Sequence, residues 1–289
     1  MSLPQARQQI LADIAVRTAQ HQQAIASALA GGLLGKPNSP LNLLADGDSW
    51  FDYPLGGAIP LVDHTDIIAQ LPSLCAKQPY ILNLAHYGDA TTTELGLTRV
   101  QKISDALNNP ANGPFDAILF SGGGDDIVGD PFCIWLNDAA AVGSDPTKAL
   151  NTVRFDAVLE LVKASYLDLV DLRNNKLPNA PIFVHGYDFA IPSGVGAYCA
   201  GPWLKPSLDY CSWTGSAQAT QIVRDALTQF GNLVASLAAD PANDMVYVPT
   251  QGTLAATDWA NELHPTPSGF KQVGSKFQAA LAAKFPGRI

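Results

Sequence analysis

The chain has 289 residues, enough for one α/β domain that buries its own core without disulfides or a metal. Hydrophobic residues make up 47% and charged residues 15%, which is typical of a globular protein and not of a disordered one. A net charge of −9 without any Lys/Arg cluster argues against nucleic acid as a partner. No apolar stretch approaches the roughly 18 residues of a membrane span. The chain shows no signal peptide, which leaves either the cytoplasm or secretion with the signal removed.

The predicted elements begin with one amphipathic helix over residues 3–31, whose apolar side carries Ile10, Ile14, Ala15 and Val16. Glycines and prolines then end this helix, so residues 1–36 are expected to lie on the outside of a single domain that spans 1–289. Five almost continuous apolar runs follow, at 41–45, 80–84, 117–120, 181–184 and 245–248. Such runs are typical of strands that are buried on both faces.

Helical patterns separate these runs, at 64–73, 94–108, 148–175, 216–239 and 268–284. Strands that alternate with helices predict right-handed crossovers and a parallel sheet. We therefore expect a three-layer α/β/α domain with five parallel strands, like flavodoxin in outline. In such sheets the ligand lies beyond the carboxyl ends of the strands. Polar residues and glycines follow each apolar run, at 46–51, 83–88, 121–126, 185–188 and 258–265.

Four of these blocks resemble the SGNH/GDSL hydrolase superfamily, and together they spread over residues 46–265. Gly47-Asp48-Ser49 resembles the nucleophile block of the family, and Gly88 falls where its oxyanion glycine is expected. The block at 123–126 stands where the family has Gly-x-Asn-Asp, and His264-Pro265 ends the block that normally reads Asp-x-x-His. Gly-Asp-Ser alone also occurs in ordinary turns, so the order, spacing and strand context carry the resemblance.

The chemistry of these residues agrees with what the resemblance implies. A serine hydroxyl is a poor nucleophile at neutral pH, and it needs a base within hydrogen-bond reach. His264 can take the proton of Ser49 and return it to the leaving alcohol. The family pattern implies that the backbone N–H groups of Ser49 and Gly88 stabilise the oxyanion. The implied activity needs no cofactor and no metal.

Two positions depart from the family pattern. Asp125 stands where the family has the asparagine that donates to the oxyanion, so it must either be protonated, with Asp126 raising its pKa, or point away. Asn261 stands where the family has the aspartate that supports the histidine. Its amide oxygen can accept from His264 Nδ1, and nearby carboxylates offer alternative partners for this nitrogen, namely Asp258, Glu262 and, as a further hypothesis, Asp125.

Several other residues have two interpretations at this point. Trp50 is either a core residue or a wall of the substrate pocket, and Tyr187 and Asp188 are candidates for substrate contact. The stretch 191–213 is an insertion that is either a lid or a surface loop, and Cys199 and Cys211 within it are either a disulfide or buried thiols. Asp66 is expected to cap a helix and not to bind a metal with Asp63 and His64.

These features predict a serine esterase that acts through an acyl-Ser49 intermediate on a short-chain acyl or acetyl ester. The substrate is expected to be a small-molecule ester or the ester of a lipid or sugar. An acyltransferase or lysophospholipase on the same fold, and a catalytically weakened binding protein, are the alternatives.

Overall fold

The computed structural model describes residues 3–53, 66–87, 97–129, 131–196 and 201–289. Its sheet has five parallel strands in the order β2-β1-β3-β4-β5, which is the order of flavodoxin. The strands are β1 (Asn42–Gly47), β2 (Tyr80–Asn83), β3 (Ala117–Ser121), β4 (Ile182–His185) and β5 (Met245–Val248). The predicted fold class is confirmed, and each strand begins and ends within about two residues of its predicted position, the usual accuracy of such boundaries.

The helices are α1 (Leu3–Ala30), α2 (Ile67–Leu74), α3 (Leu97–Asn108), α4 (Gly124–Val128), α5 (Phe132–Trp135), α6 (Ala139–Val142), α7 (Thr152–Lys176), α8 (Leu204–Tyr210), α9 (Ser216–Ala239) and α10 (Pro267–Lys284). One layer pairs α2 with α10, and the other packs α3 and α9 against α7. The sequence did not predict α4, α5, α6 and α8, because four to seven residues are too few to show a helical period. Within the described part of the chain, no helix is both long and apolar enough to cross a membrane.

Helix α1 packs along the edge strand β2, but the apolar side predicted for it is partly wrong. Val16 is 56% exposed and Ala15 is exposed, whereas Ile25 and His21 are buried. His21 Nε2 lies 3.2 Å from the Asn112 carbonyl oxygen, so a polar residue with a partner occupies the inner side. The buried side therefore follows a stripe that includes polar residues, and a search for apolar periodicity alone misplaces it.

The carboxyl end of β1 lies at the point where the crossovers leave in opposite directions, since β1 has β2 on one side and β3 on the other. Gly47 ends β1 at a φ of 144°, and a Cβ there would lie 2.0 Å from the carbonyl oxygen of Ser121. Only glycine permits this approach of the two strands. Ser49 follows two residues later, at the edge of the sheet where ligands bind in this architecture.

Two of the alternatives left by the sequence are resolved within the described residues. Asp66 caps α2, because its carboxylate accepts the backbone N–H of Ala69 at 2.7 Å, so the predicted cap is confirmed. Cys211 is buried and its thiol is free, as in the second interpretation of this cysteine. Cys199, Asp63 and His64 lie outside the described residues.

Candidate active site

Ser49 and His264 meet at the carboxyl edge of the sheet although 215 positions separate them in the chain. The Ser49 hydroxyl oxygen lies 2.7 Å from His264 Nε2, and the two residues are only 7% and 6% exposed. Ser49 stands in the turn after β1, and His264 in the loop before α10. The indole N–H of Trp50 donates to the Leu263 carbonyl oxygen at 3.0 Å and so joins the two loops beside the pair. The fold therefore places a hydroxyl and a base in direct contact.

Asn261 determines which nitrogen of His264 carries the proton. Its Oδ1 accepts the backbone N–H groups of Leu263 at 3.0 Å and of His264 at 2.9 Å. An atom that accepts from two N–H donors is an oxygen, so the orientation of the amide is fixed. His264 Nδ1 lies 2.9 Å from the same oxygen and must donate its proton to it. Nε2 therefore presents its lone pair to the Ser49 hydroxyl, as a general base requires.

Tyr53 supports both Asn261 and His264. The Asn261 Nδ2 group donates to the Tyr53 phenol oxygen at 2.9 Å, and the Tyr53 ring stacks on the imidazole with 4.3 Å between ring centroids. Burial raises the pKa of Tyr53 above its ordinary value, so the phenol is neutral at physiological pH. The stacked ring and the fixed amide together hold the imidazole in one orientation.

Burial lowers the pKa of His264 to about 3. Desolvation disfavours the imidazolium. The partner of Nδ1 is the neutral oxygen of Asn261, so no negative charge at this position offsets the cost of desolvation. His264 is consequently neutral from acid pH upward. This is the protonation state in which it can accept the proton of Ser49.

The carboxylates near this loop have other partners. Glu262 accepts four backbone N–H groups from the 191–213 insertion, and Asp258 accepts the backbone N–H of Ala255 at 2.9 Å. Both ring nitrogens of His264 are occupied, Nε2 by Ser49 and Nδ1 by Asn261. Among the described residues, the acceptor within hydrogen-bond distance of His264 Nδ1 is Asn261, and none of the alternatives Asp258, Glu262 and Asp125 occupies that position.

Asp48 holds the turn that carries Ser49. Its Oδ1 accepts the Trp50 backbone N–H at 3.0 Å and the Ser121 hydroxyl at 2.8 Å, and its Oδ2 accepts the Tyr187 hydroxyl. The ring of His185 continues this buried chain, because its Nδ1 accepts the Tyr187 backbone N–H and its Nε2 then donates to Ser121 at 3.0 Å. Burial lowers the pKa of His185 to about 3, which keeps this ring neutral. These bonds fix the backbone on either side of Ser49, at Asp48 and Trp50.

A cavity of about 20 Å³ lies beside Ser49. Five parts of the chain line it together with Asp125, and these residues are Trp50, Gly124, Val128, Tyr187, Asp188, Ala190, Leu227 and Leu263. The Tyr187 ring packs on Gly124 so closely that a Cβ at Gly124 would lie 2.6 Å from it, which accounts for glycine at this position. The cavity has room for one or two water-sized groups, since a single water needs about 10–15 Å³.

The remaining predicted site residues occupy different positions. Trp50 and Tyr187 are buried and border the cavity. The Asp188 carboxylate also borders it but accepts the backbone N–H groups of Phe189, Gly252 and Leu254, so it holds the loop after β5. Gly88 lies outside the described residues. In the described ranges, no three His, Cys, Asp or Glu side chains are grouped to hold a metal ion.

Sequence reasoning did not assign three supporting residues. They are Tyr53, which supports Asn261 and His264, and Ser121 and His185, which belong to the Asp48 network. The signal for Ser121 was its place at the end of β3, directly beside Gly47 in the sheet register. The signal for Tyr53 was its position four residues after Ser49, but its contact with Asn261 spans 208 positions and no local pattern reports it.

Comparison with known proteins finds solved structures of the same fold but no relative by sequence. No protein-family model and no curated protein matches the chain. Among solved structures, the lipase Lip_vut3 from a goat rumen metagenome has a TM-score of 0.51 and 13% identity, covering 83% of this chain and 97% of its own. An extracellular lipase from Streptomyces rimosus has a TM-score of 0.50 and 17% identity, covering 83% and 98%. The chain therefore shares the fold of these two lipases.

Proposed function

We propose that this protein is a serine hydrolase that cleaves a carboxylic ester through an acyl-Ser49 intermediate. The observation that carries the proposal is the 2.7 Å contact of the Ser49 hydroxyl with His264 Nε2, in a tautomer that Asn261 fixes. A nucleophile, a base and a group that orients the base are the three parts such catalysis needs. The description of both structural neighbours as lipases agrees with an ester as substrate.

Acylation begins when His264 Nε2 takes the proton of Ser49 and the serine oxygen bonds to the ester carbonyl carbon. The tetrahedral intermediate collapses as the carbon–alkoxy bond breaks, and the imidazolium gives its proton to the leaving alcohol. A water molecule then loses a proton to His264 and attacks the acyl-enzyme, which releases the acid and restores Ser49. Trp50 and Asp48 keep the serine in line with the base throughout these steps.

The oxyanion is assigned to backbone donors at the start of the turn that carries the nucleophile. The Asp48 carbonyl oxygen accepts from Phe51 and Asp52, so residues 48–52 form a helical turn with the Ser49 N–H at its amino end. The first N–H groups of such a turn lack partners within it and are directed at an incoming anion. We assign this role to the Ser49 N–H and, from the family resemblance, to that of Gly88. Asp125 borders the same space and serves as an oxyanion donor only if it is protonated.

The acyl group is assigned to the cavity beside Ser49. Val128, Ala190, Leu227 and Leu263 give it apolar walls, and its volume of about 20 Å³ suits an acetyl or other short acyl group. A longer acyl chain has to extend beyond these walls or displace them. Short-chain esters are thus the expected substrates.

Hydrolysis of p-nitrophenyl acetate by the wild type, by Ser49→Ala and by Ser236→Ala tests the proposal. Ser236 is an exposed serine on α9 whose hydroxyl, among the described residues, bonds a carbonyl of its own helix, so its removal is the matched control. We expect the wild type and Ser236→Ala to release p-nitrophenol at equal rates. Ser49→Ala should fall by about 10⁶, as the loss of a nucleophile does in serine hydrolases. Turnover that survives Ser49→Ala would exclude the proposal, and ester formation with an added alcohol would indicate an acyltransferase.

A further inference from the structure

Glu262 is a fully buried carboxylate that the proposed chemistry does not use. Its side chain is 0% exposed, and it stands two residues before His264. Its Oε1 accepts the backbone N–H groups of Gly194 at 2.9 Å and Lys205 at 3.0 Å. Its Oε2 accepts those of Trp203 at 2.6 Å and Leu204 at 2.7 Å. Four N–H donors offset the cost of burying this charge.

These bonds fasten both described ends of the 191–213 insertion to the loop that carries His264. The Glu262 backbone N–H donates to the Val195 carbonyl oxygen at 3.1 Å, so one residue holds the insertion before and after its middle. Helix α8 has no capping side chain of its own, and the Glu262 carboxylate takes the place of a cap at its first turn. The position of the insertion is therefore tied to the catalytic histidine.

The segment held in this way presents Trp203 to His264. The indole lies 5.6 Å from the imidazole centroid at an interplanar angle of 72°, and it is half-buried. Gly201 permits this placement, because a Cβ there would lie 2.6 Å from two carbons of the Trp203 ring. Tyr53 stacks on the imidazole as well, so the histidine lies between two aromatic side chains.

We propose that Trp203 is the residue that selects the alcohol half of the ester, and that Glu262 is the positioning residue that holds it there. This inference rests on the proposed function. During acylation His264 must protonate the leaving oxygen, so the alcohol lies beside the imidazole, and Trp203 is an aromatic neighbour of this ring. The acyl cavity has different walls, among them Val128 and Leu227. A half-buried indole favours a planar or ring-bearing alcohol, which can pack on it.

The test compares kcat/KM for benzyl acetate and ethyl acetate, which differ only in the alcohol. We expect Trp203→Ala to lower the benzyl-to-ethyl ratio about tenfold, the size of a lost ring contact, and Trp203→Phe to keep most of the preference. Glu262→Gln should lower the ratio in the same direction and speed amide hydrogen exchange at residues 203–205, because an amide nitrogen cannot accept from these donors. Tyr210→Ala is the control, since Tyr210 is the last residue of α8, the helix that Trp203 precedes, and is 78% exposed.

Three outcomes would overturn the inference. The first is an active Trp203→Ala variant with an unchanged ratio. The second is a variant whose ethyl butyrate-to-ethyl acetate ratio changes more than its benzyl-to-ethyl ratio, because Trp203 would then border the acyl group. The third is unchanged exchange at 203–205 in Glu262→Gln. If the wild type cleaves neither acetate and takes no fluorophosphonate label, the proposed function itself is refuted, whatever the exchange result for Glu262.

Discussion

Replacing Asn261 by aspartate is the sharpest test of how His264 is supported. The new carboxylate would keep the backbone N–H bonds from Leu263 and His264 and the bond from His264 Nδ1, so it would be ionised. The Tyr53 hydroxyl, which now accepts from the Asn261 amide, can rotate and donate to the second carboxylate oxygen. The variant therefore needs no rearrangement of the loop.

The expected gain follows from the charge of the acceptor. A hydrogen bond to a charged group contributes about 1.5–3 kcal/mol and one between neutral groups about 0.5–1.5 kcal/mol, a difference of roughly 1.3 kcal/mol in favour of the imidazolium. This difference corresponds to an increase of about tenfold in kcat/KM and of about one unit in the pKa of His264, since both depend on the stability of the same imidazolium. A triad in which aspartate becomes asparagine loses far more, about 10⁴, because its histidine takes the wrong tautomer. The backbone bonds of Asn261 prevent that here.

The assay is the pH profile of kcat/KM on p-nitrophenyl acetate. The pKa of His264 near 3 predicts a wild-type profile that stays flat from pH 7 into the acid range, and Asn261→Asp should raise the plateau and move the acid limb upward. Asn109→Asp, an exposed helix cap, is the matched control and should leave both unchanged. A folded Asn261→Asp variant with lower activity, or with a raised plateau and an unmoved acid limb, would refute this reasoning.

Three further predictions concern stability. Tyr187→Phe removes a donor from the buried Asp48 carboxylate, so it should lower the free energy of unfolding by about 1.5–3 kcal/mol in urea and also lower kcat; an unchanged urea midpoint would contradict this. The pKa values of His185 and His264 are depressed to about 3, so below pH 6.5 the unfolded chain binds more protons at these histidines than the folded chain does. The contribution of both histidines to the urea midpoint should therefore fall as the pH drops from 6.5 towards 3 and should be constant above that window. Burial raises the pKa of Asp66 to about 7, so its protonated form contributes stability that is lost as the pH rises from 3.8 through 7; over this window the urea midpoint of the wild type should therefore rise less steeply than that of Asp66→Asn, which keeps the cap, and parallel curves would contradict this.

The fold was predictable because the sheet is buried on both faces. Every residue of β1 and of β3 is buried, which leaves the continuous apolar runs that a strand search detects. The long helices between the strands also follow from their period. The side of α1 that faces the domain could not be predicted from its period, because His21 is buried there with a backbone partner while Val16 is exposed.

The candidate site was predictable only as far as local sequence reaches. Ser49 and His264 were identified from short blocks, and the structure brings them within hydrogen-bond distance. The sequence left open which neighbour supports His264, because Asp258, Asn261 and Glu262 lie within five residues. Backbone geometry decides this: the Asn261 oxygen accepts two N–H groups of its own loop, while Glu262 faces an insertion about 60 residues away. Such long-range pairings leave no local pattern.

The central claim is that Ser49 is the nucleophile and that His264 activates it, and site-specific labelling tests it most directly. The protein is treated with a fluorophosphonate, its intact mass is measured, and the modified peptide is sequenced by mass spectrometry. We predict one adduct per chain, on Ser49, with no adduct in Ser49→Ala and a labelling rate that falls by orders of magnitude in His264→Ala. An adduct on another residue, or labelling of Ser49 at an unchanged rate without His264, would contradict the account.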